Sequence, residues 1–103
     1  MNPDSDMTFL TRHLSIHGNV QGVGFRWALS AEARALKLRG WVRNRRDGSV
    51  EALVSGTPEA VEALTAWAHR GPSTAVVERV VSRDEPTPEN QGSLAGFEQL
   101  PTF

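Results

Sequence analysis

Between residues 8 and 17, Leu10, Arg12, Leu14 and Ile16 alternate with more polar positions. A period of two predicts a half-buried strand. From Phe25 to about Leu38 the period lengthens. Phe25, Ala28, Leu29, Ala33 and Leu36 fall on one helical face, with Glu32, Arg34 and Lys37 turned away. That pattern predicts an amphipathic helix, closed near Gly40, a residue type typical of helix exits. Residues 41–46 and 49–55 read as two short strands. Asp47-Gly48 between them is a hairpin signal, because glycine supplies the positive φ that such a turn needs. Val50, Ala52 and Val54 would share the inward face of the second arm.

Thr57-Pro58-Glu59 predicts a second helix start: a capping hydroxyl, a proline whose missing N–H does no harm, and an acid near the positive end of the dipole. Ala60, Val61, Leu64, Trp67 and Ala68 form its apolar stripe, and Gly71-Pro72 ends it. Residues 75–83 are rich in valine and read as a strand whose inward face the pattern leaves ambiguous. Residues 85–96 read as a loop from their proline, glycine and asparagine. Residues 97–100 add a last short strand. The order strand, helix, strand, strand, helix, strand makes each helix a crossover. Right-handed crossovers then lead to an α+β, ferredoxin-like α/β sandwich: an antiparallel sheet with two helices on one face. Residues 1–7 are expected to form a flexible tail and residues 8–103 a single domain. That fold hosts many activities and decides none.

Composition narrows the classes of function. A chain of 103 residues that is 39% hydrophobic suits one small core. With no cysteine there is neither a disulfide nor a thiolate site. A net charge of −1 lacks the basic field expected of a nucleic-acid binder. No apolar run approaches bilayer length, and the polar, acidic start is unlike a secretory signal. The expectation is a cytoplasmic protein, monomeric, without membrane or nucleic-acid partners.

The chemistry concentrates in Gly18-Asn19-Val20-Gln21-Gly22-Val23-Gly24-Phe25-Arg26. Three glycines with no charge between them lie after a strand and before a helix, and an arginine follows in the first helical turn. Such a loop turns several backbone N–H groups toward one point, where a helix start already presents free donors and partial positive charge. Arg26 adds a permanent charge and a planar fork of donors. Together they suit a phosphate or similar oxyanion. The second informative segment runs from Gly40 to Glu51. The proposed topology carries Asn44 close to the start of the first helix, and a carboxamide there offers one acceptor and two donors.

These two segments resemble the signatures of the acylphosphatase family. The first is Gly18 through Arg26. The second is Gly40-Trp41-Val42-Arg43-Asn44, with Asp47-Gly48 and Val50-Glu51. Val61, Leu64, Trp67, Gly71-Pro72 and Ala75 agree as well, so the likeness spans about residues 8 to 100. It implies hydrolysis of acyl phosphates to carboxylate and inorganic phosphate, without a metal or other cofactor. By position, it implies Arg26 as the phosphate-binding arginine and Asn44 as the water-positioning asparagine. The backbone cradle would be Asn19, Val20, Gln21, Gly22, Val23 and Gly24. The partners implied are a small acyl phosphate and the phosphate product. One departure is Lys37, where the family usually has glycine. If that position needs positive φ, lysine costs on the order of 1 kcal/mol there.

Other conspicuous residues read more plainly. Arg39, Arg43, Arg45 and Arg46 form a basic cluster, expected to be solvated surface that at most draws anions toward the seat. His13, His17 and His69 have no metal-ligand spacing. Trp27 and Trp41 are expected to pack near the hairpin and Trp67 in the core. Asp47 is expected to form the turn and not to act as a base. Two other functions stay open at this point. One is a non-catalytic anion-binding regulatory module of the same fold. The other is an RNA-binding domain, disfavoured because the two candidate central strands carry no stacking aromatics.

Overall fold

Seven elements emerge from these patterns. In the computed structural model, which describes residues 9–86 and 96–103, they are β1 (Leu10–Asn19), α1 (Phe25–Ala35), β2 (Arg39–Asn44), β3 (Val50–Gly56), α2 (Pro58–Arg70), β4 (Val76–Glu85) and β5 (Phe97–Gln99). The expected tail at residues 1–7 and most of the expected loop at 85–96 lie outside the described residues.

The sheet order is β4-β1-β3-β2-β5. β1 is antiparallel to both β3 and β4, and β2 is antiparallel to β3. β5 runs parallel to β2, so the outer edge departs from the purely antiparallel sheet the sequence suggests. The fold is ferredoxin-like, with both helices on one face. Leu14 and Ile16 of β1, Val50, Ala52 and Val54 of β3, and Val42 of β2 are buried against Phe25, Leu29 and Ala33 of α1 and Val61, Leu64 and Ala68 of α2. The Phe25 and Trp67 rings meet across the two helices at 5.5 Å.

Arg12 falls on this inward face near the start of β1, which the strand tolerates because its charge is matched. Its guanidinium bonds Asp84 at 2.6 Å and pairs with Glu62 at 3.2 Å, tying β1 to β4 and α2. β4 explains its ambiguous pattern by being mostly exposed: only Val77 and Val80 pack toward the core. α1 is shorter than its apolar period suggests, ending at Ala35. Lys37 then adopts φ 60°. The helix closes in the way a glycine would close it, and the strain falls on a lysine.

Candidate active site

α1 begins without a cap. Gly24 takes φ 80° and ψ 17°, no side chain bonds the first-turn amides, and no acid lies in that turn. The first intrahelical bond runs from the Ala28 N–H to the Gly24 carbonyl at 3.0 Å. The amides before it have no helical acceptor. None of the N–H groups of residues 20–24 donates to a backbone carbonyl among the described residues. Gly22 and Gly24 need glycine for their left-handed φ of 75° and 80°, yet a β-carbon on either would meet nothing within 4 Å. They therefore answer to loop shape and an open approach, and not to packing.

Two ties hold the loop in this shape. The Gln21 side-chain amide donates to the Arg45 carbonyl at 2.7 Å and the Ser49 carbonyl at 2.8 Å, joining the loop to the β2–β3 hairpin. The Thr74 hydroxyl donates to the Val23 carbonyl at 2.7 Å. Within the hairpin, Asp47 accepts from the Ser49 N–H at 2.9 Å and from its hydroxyl at 2.6 Å. These bonds hold the turn and keep the exposed Asp47 carboxyl below its ordinary value, which makes it a weaker base than a free aspartate.

Loop, helix start and strand end close on a cleft of about 120 Å³, lined by Gly22, Gly24, Arg26, Trp27, Asn44 and Gln99. Val20 and Phe25 border it from the core side. The space suits one small oxyanion or a few waters. Arg26 and Asn44, eighteen positions apart in sequence, share this cleft. The Asn44 Oδ1 is buried there and has no hydrogen-bond partner among the described residues. An unpaired buried acceptor is costly unless something arrives to donate to it. Asn19, Gln21 and Val23 flank the cleft without lining it. A larger hollow of about 480 Å³ lies at Arg45, Arg46, Asp47, Thr102 and Phe103. Neither Arg26, Asn44 nor the loop amides reach it.

Several features escaped the sequence reading. Trp27 does not pack away: it is 71% exposed on the rim of the cleft. The basic cluster is not uniformly solvated. Arg43 bonds Glu51 at 2.7 Å and lies 4.1 Å over the Phe103 ring, and Arg45 pairs with Glu51 at 3.3 Å. His13 meets the same carboxylate at 2.6 Å. Burial works to raise the Glu51 pKa, but the His13 and Arg43 hydrogen bonds outweigh it and hold the group below the usual glutamate range. A signal for this cluster was present: a hairpin turning at Asp47-Gly48 pairs Arg43 with Glu51 directly. Among the described residues no group of three His, Cys, Asp or Glu could hold a metal ion, and no helix is long and apolar enough to cross a membrane.

Residues 12–99, most of the chain, match the family model for acylphosphatase. The chain belongs to the acylphosphatase family. An acylphosphatase of Thermococcus kodakarensis is 61% identical over 75 residues, covering 72% of this chain and 82% of that protein. One from Acidovorax is 54% identical over 93 residues, covering 90% and 92%. The crystal structure of acylphosphatase from Bacillus subtilis superposes with a TM-score of 0.82 at 32% identity, covering 88% of this chain and 98% of that one. The family likeness thus spans the loop, the helix start and the hairpin together.

Proposed function

We propose that this family member hydrolyses acyl phosphates at the cleft between α1 and the end of β2, with Arg26 and the loop amides holding the phosphoryl group and Asn44 holding the attacking water. The observation that carries the reading is the unpartnered Asn44 Oδ1, buried in the same cleft as Arg26 at an uncapped helix start.

The chemistry asks little of a protein. Carboxylate is already a good leaving group, so neither a nucleophilic side chain nor a strong general acid is required. Arg26 and the free amides would bind phosphoryl oxygens and stabilise charge as it redistributes. A water donating one O–H to Asn44 Oδ1 is turned with its lone pair toward phosphorus, in line with the leaving oxygen. The P–O bond to water forms as the P–O bond to the acyl group breaks, and the carboxylate departs with the bonding pair. The water's proton passes to a phosphoryl oxygen of the substrate itself, giving inorganic phosphate. Trp27 and Gln99, on the rim, would meet the acyl group. The same reading makes the protein a cytoplasmic monomer acting on small acyl phosphates, which light scattering and cell fractionation would check.

The test is turnover of benzoyl phosphate with chelator present. Arg26→Ala and Asn44→Ala, each verified as folded, should lower kcat/KM by roughly 10²-fold or more, the scale of losing one preorganised donor. Inorganic phosphate should compete with substrate. Trp27→Ala should raise KM for benzoyl phosphate more than for acetyl phosphate. Normal turnover in either of the first two variants would remove that residue from the mechanism.

A further inference from the structure

Glu51 is a buried carboxylate that the reaction scheme does not use. Its side chain is 8% exposed and touches three others: Arg43 Nε at 2.7 Å through Oε1, and His13 Nε2 at 2.6 Å and Arg45 Nη1 at 3.3 Å through Oε2. Successive strand residues point to opposite faces, so Glu51 lies on the helix-free side of the sheet while Val50 and Ala52 face the core. An ion cluster there is not needed to fill the core.

Its partners are the two neighbours of Asn44 in the chain. Arg43 and Arg45 turn to the Glu51 side, and the same alternation sends Asn44 into the cleft. Glu51 therefore pairs with the side chains of the residues immediately before and immediately after Asn44, beside the ladder that pairs Asn44 with Val50. The Asn44 carbonyl is held as well, accepting from the Phe103 N–H at 3.0 Å. In contrast, the Asn44 Oδ1 has no partner of its own among the described residues. No hydrogen bond to that oxygen fixes its direction, so the placement of the backbone that carries it matters.

We infer that Glu51 is a positioning residue for the hydrolysis: by holding Arg43 and Arg45 together it sets the backbone of Asn44 and so aims the carboxamide at the attacking water. The inference rests on the role given to Asn44 above. It divides the labour of the site. Phosphate binding belongs to Arg26 and the loop, which Glu51 does not contact directly and which Gln21 ties to the Ser49 carbonyl as well as to that of Arg45. Placement of the water depends on Glu51 through Asn44.

Glu51→Gln keeps the shape and removes the charge. On benzoyl phosphate, kcat should fall by roughly tenfold or more, since a misplacement of about 1 Å can cost about 10²-fold. KM and the inhibition constant of inorganic phosphate should hold. The decisive arm is a double-mutant cycle. If Glu51 acts through Asn44, Glu51→Gln on the Asn44→Ala background should slow turnover no further than Asn44→Ala alone. Full kcat in a folded Glu51→Gln protein, or losses that multiply in the double variant, would overturn the inference. A slow Asn44→Ala beside a normal Glu51→Gln sinks only the role of Glu51. A normal Asn44→Ala sinks the reading beneath it. If Glu51→Gln does not fold, Arg45→Gln cuts the more exposed arm of the tether. A lower kcat with intact phosphate inhibition supports the inference, and an unchanged kcat ends it.

Discussion

α2 and α1 face the same problem at their first turns and solve it in opposite ways. Every helix start leaves amide donors without helical acceptors. At α2 the Thr57 hydroxyl accepts from the Ala60 N–H at 3.2 Å, Pro58 removes one donor, and Glu59 complements the dipole. At α1 there is no side-chain acceptor and no acid, and Arg26 adds positive charge where the dipole is already positive. The exits differ too. α2 leaves through Gly71 at φ 67°, α1 through Lys37 at φ 60°, the one non-glycine residue with positive φ among those described. The Lys37 exit is held by bonds from Lys37 N–H to the Arg34 carbonyl and from Leu38 N–H to the Ala33 carbonyl, at 3.0 and 2.9 Å, with Leu38 buried. One helix is finished by its own residues. The other is left open at its start, and an open start is what an anion needs.

The comparison breaks most sharply if α1 is given the acid it lacks. Gly24→Asp has open space for a β-carbon, and aspartate is less strained than most residues at the left-handed φ of 80°. A carboxylate there occupies the anion's place. Turnover of benzoyl phosphate should fall by roughly 10²- to 10³-fold, with circular dichroism showing an intact fold. Unchanged turnover would mean that the open helix start is not the seat.

A smaller effect tests the same difference without mutation. Inorganic phosphate at 100 times its Kd should stabilise the protein by about 2.7 kcal/mol, which a thermal melt reads as several degrees. The gain should shrink in Arg26→Ala. An equal gain in both proteins would place the bound phosphate elsewhere.

The closed helix gives the control. Thr57→Ala should cost about 1 kcal/mol in denaturant unfolding and leave kcat alone. A fall in kcat would show that the two helix starts are not separate in function. Smallest is the exit of α1. Lys37→Gly should stabilise by up to about 1 kcal/mol, again with unchanged kcat. A loss of stability would show that the lysine is not strained there.

Much of this was legible along the chain. The capped start of α2, the Asp47-Gly48 turn and the inward face of β3 each depend on residues within a few positions, and they stand where the pattern puts them. The site was half legible. Gly22, Gly24 and Arg26 announce an anion seat locally, and Asn44 joined them through a family likeness more than through any physical signal of its own. Trp27 was misread as packing near the hairpin, because helical periodicity does not distinguish a rim from a buried face. The basic cluster was read correctly only in part: Arg39 and Arg46 are exposed, but Arg43 and Arg45 pair with Glu51, because a charge run says nothing about what lies opposite it.

The sequence by itself determined the order of the elements, the cap of α2 and the loop whose donors stay free, since those follow from neighbours that cannot separate. The element order already brought the end of β2 near the start of α1; only the tertiary structure decided that Asn44 Oδ1 has no partner among the described residues and that Glu51 pairs with the residues on both sides of it. Those facts depend on strand order and register. A one-residue slip would send every side chain of β2 to the other face, and nothing local to Asn44 records which face it takes.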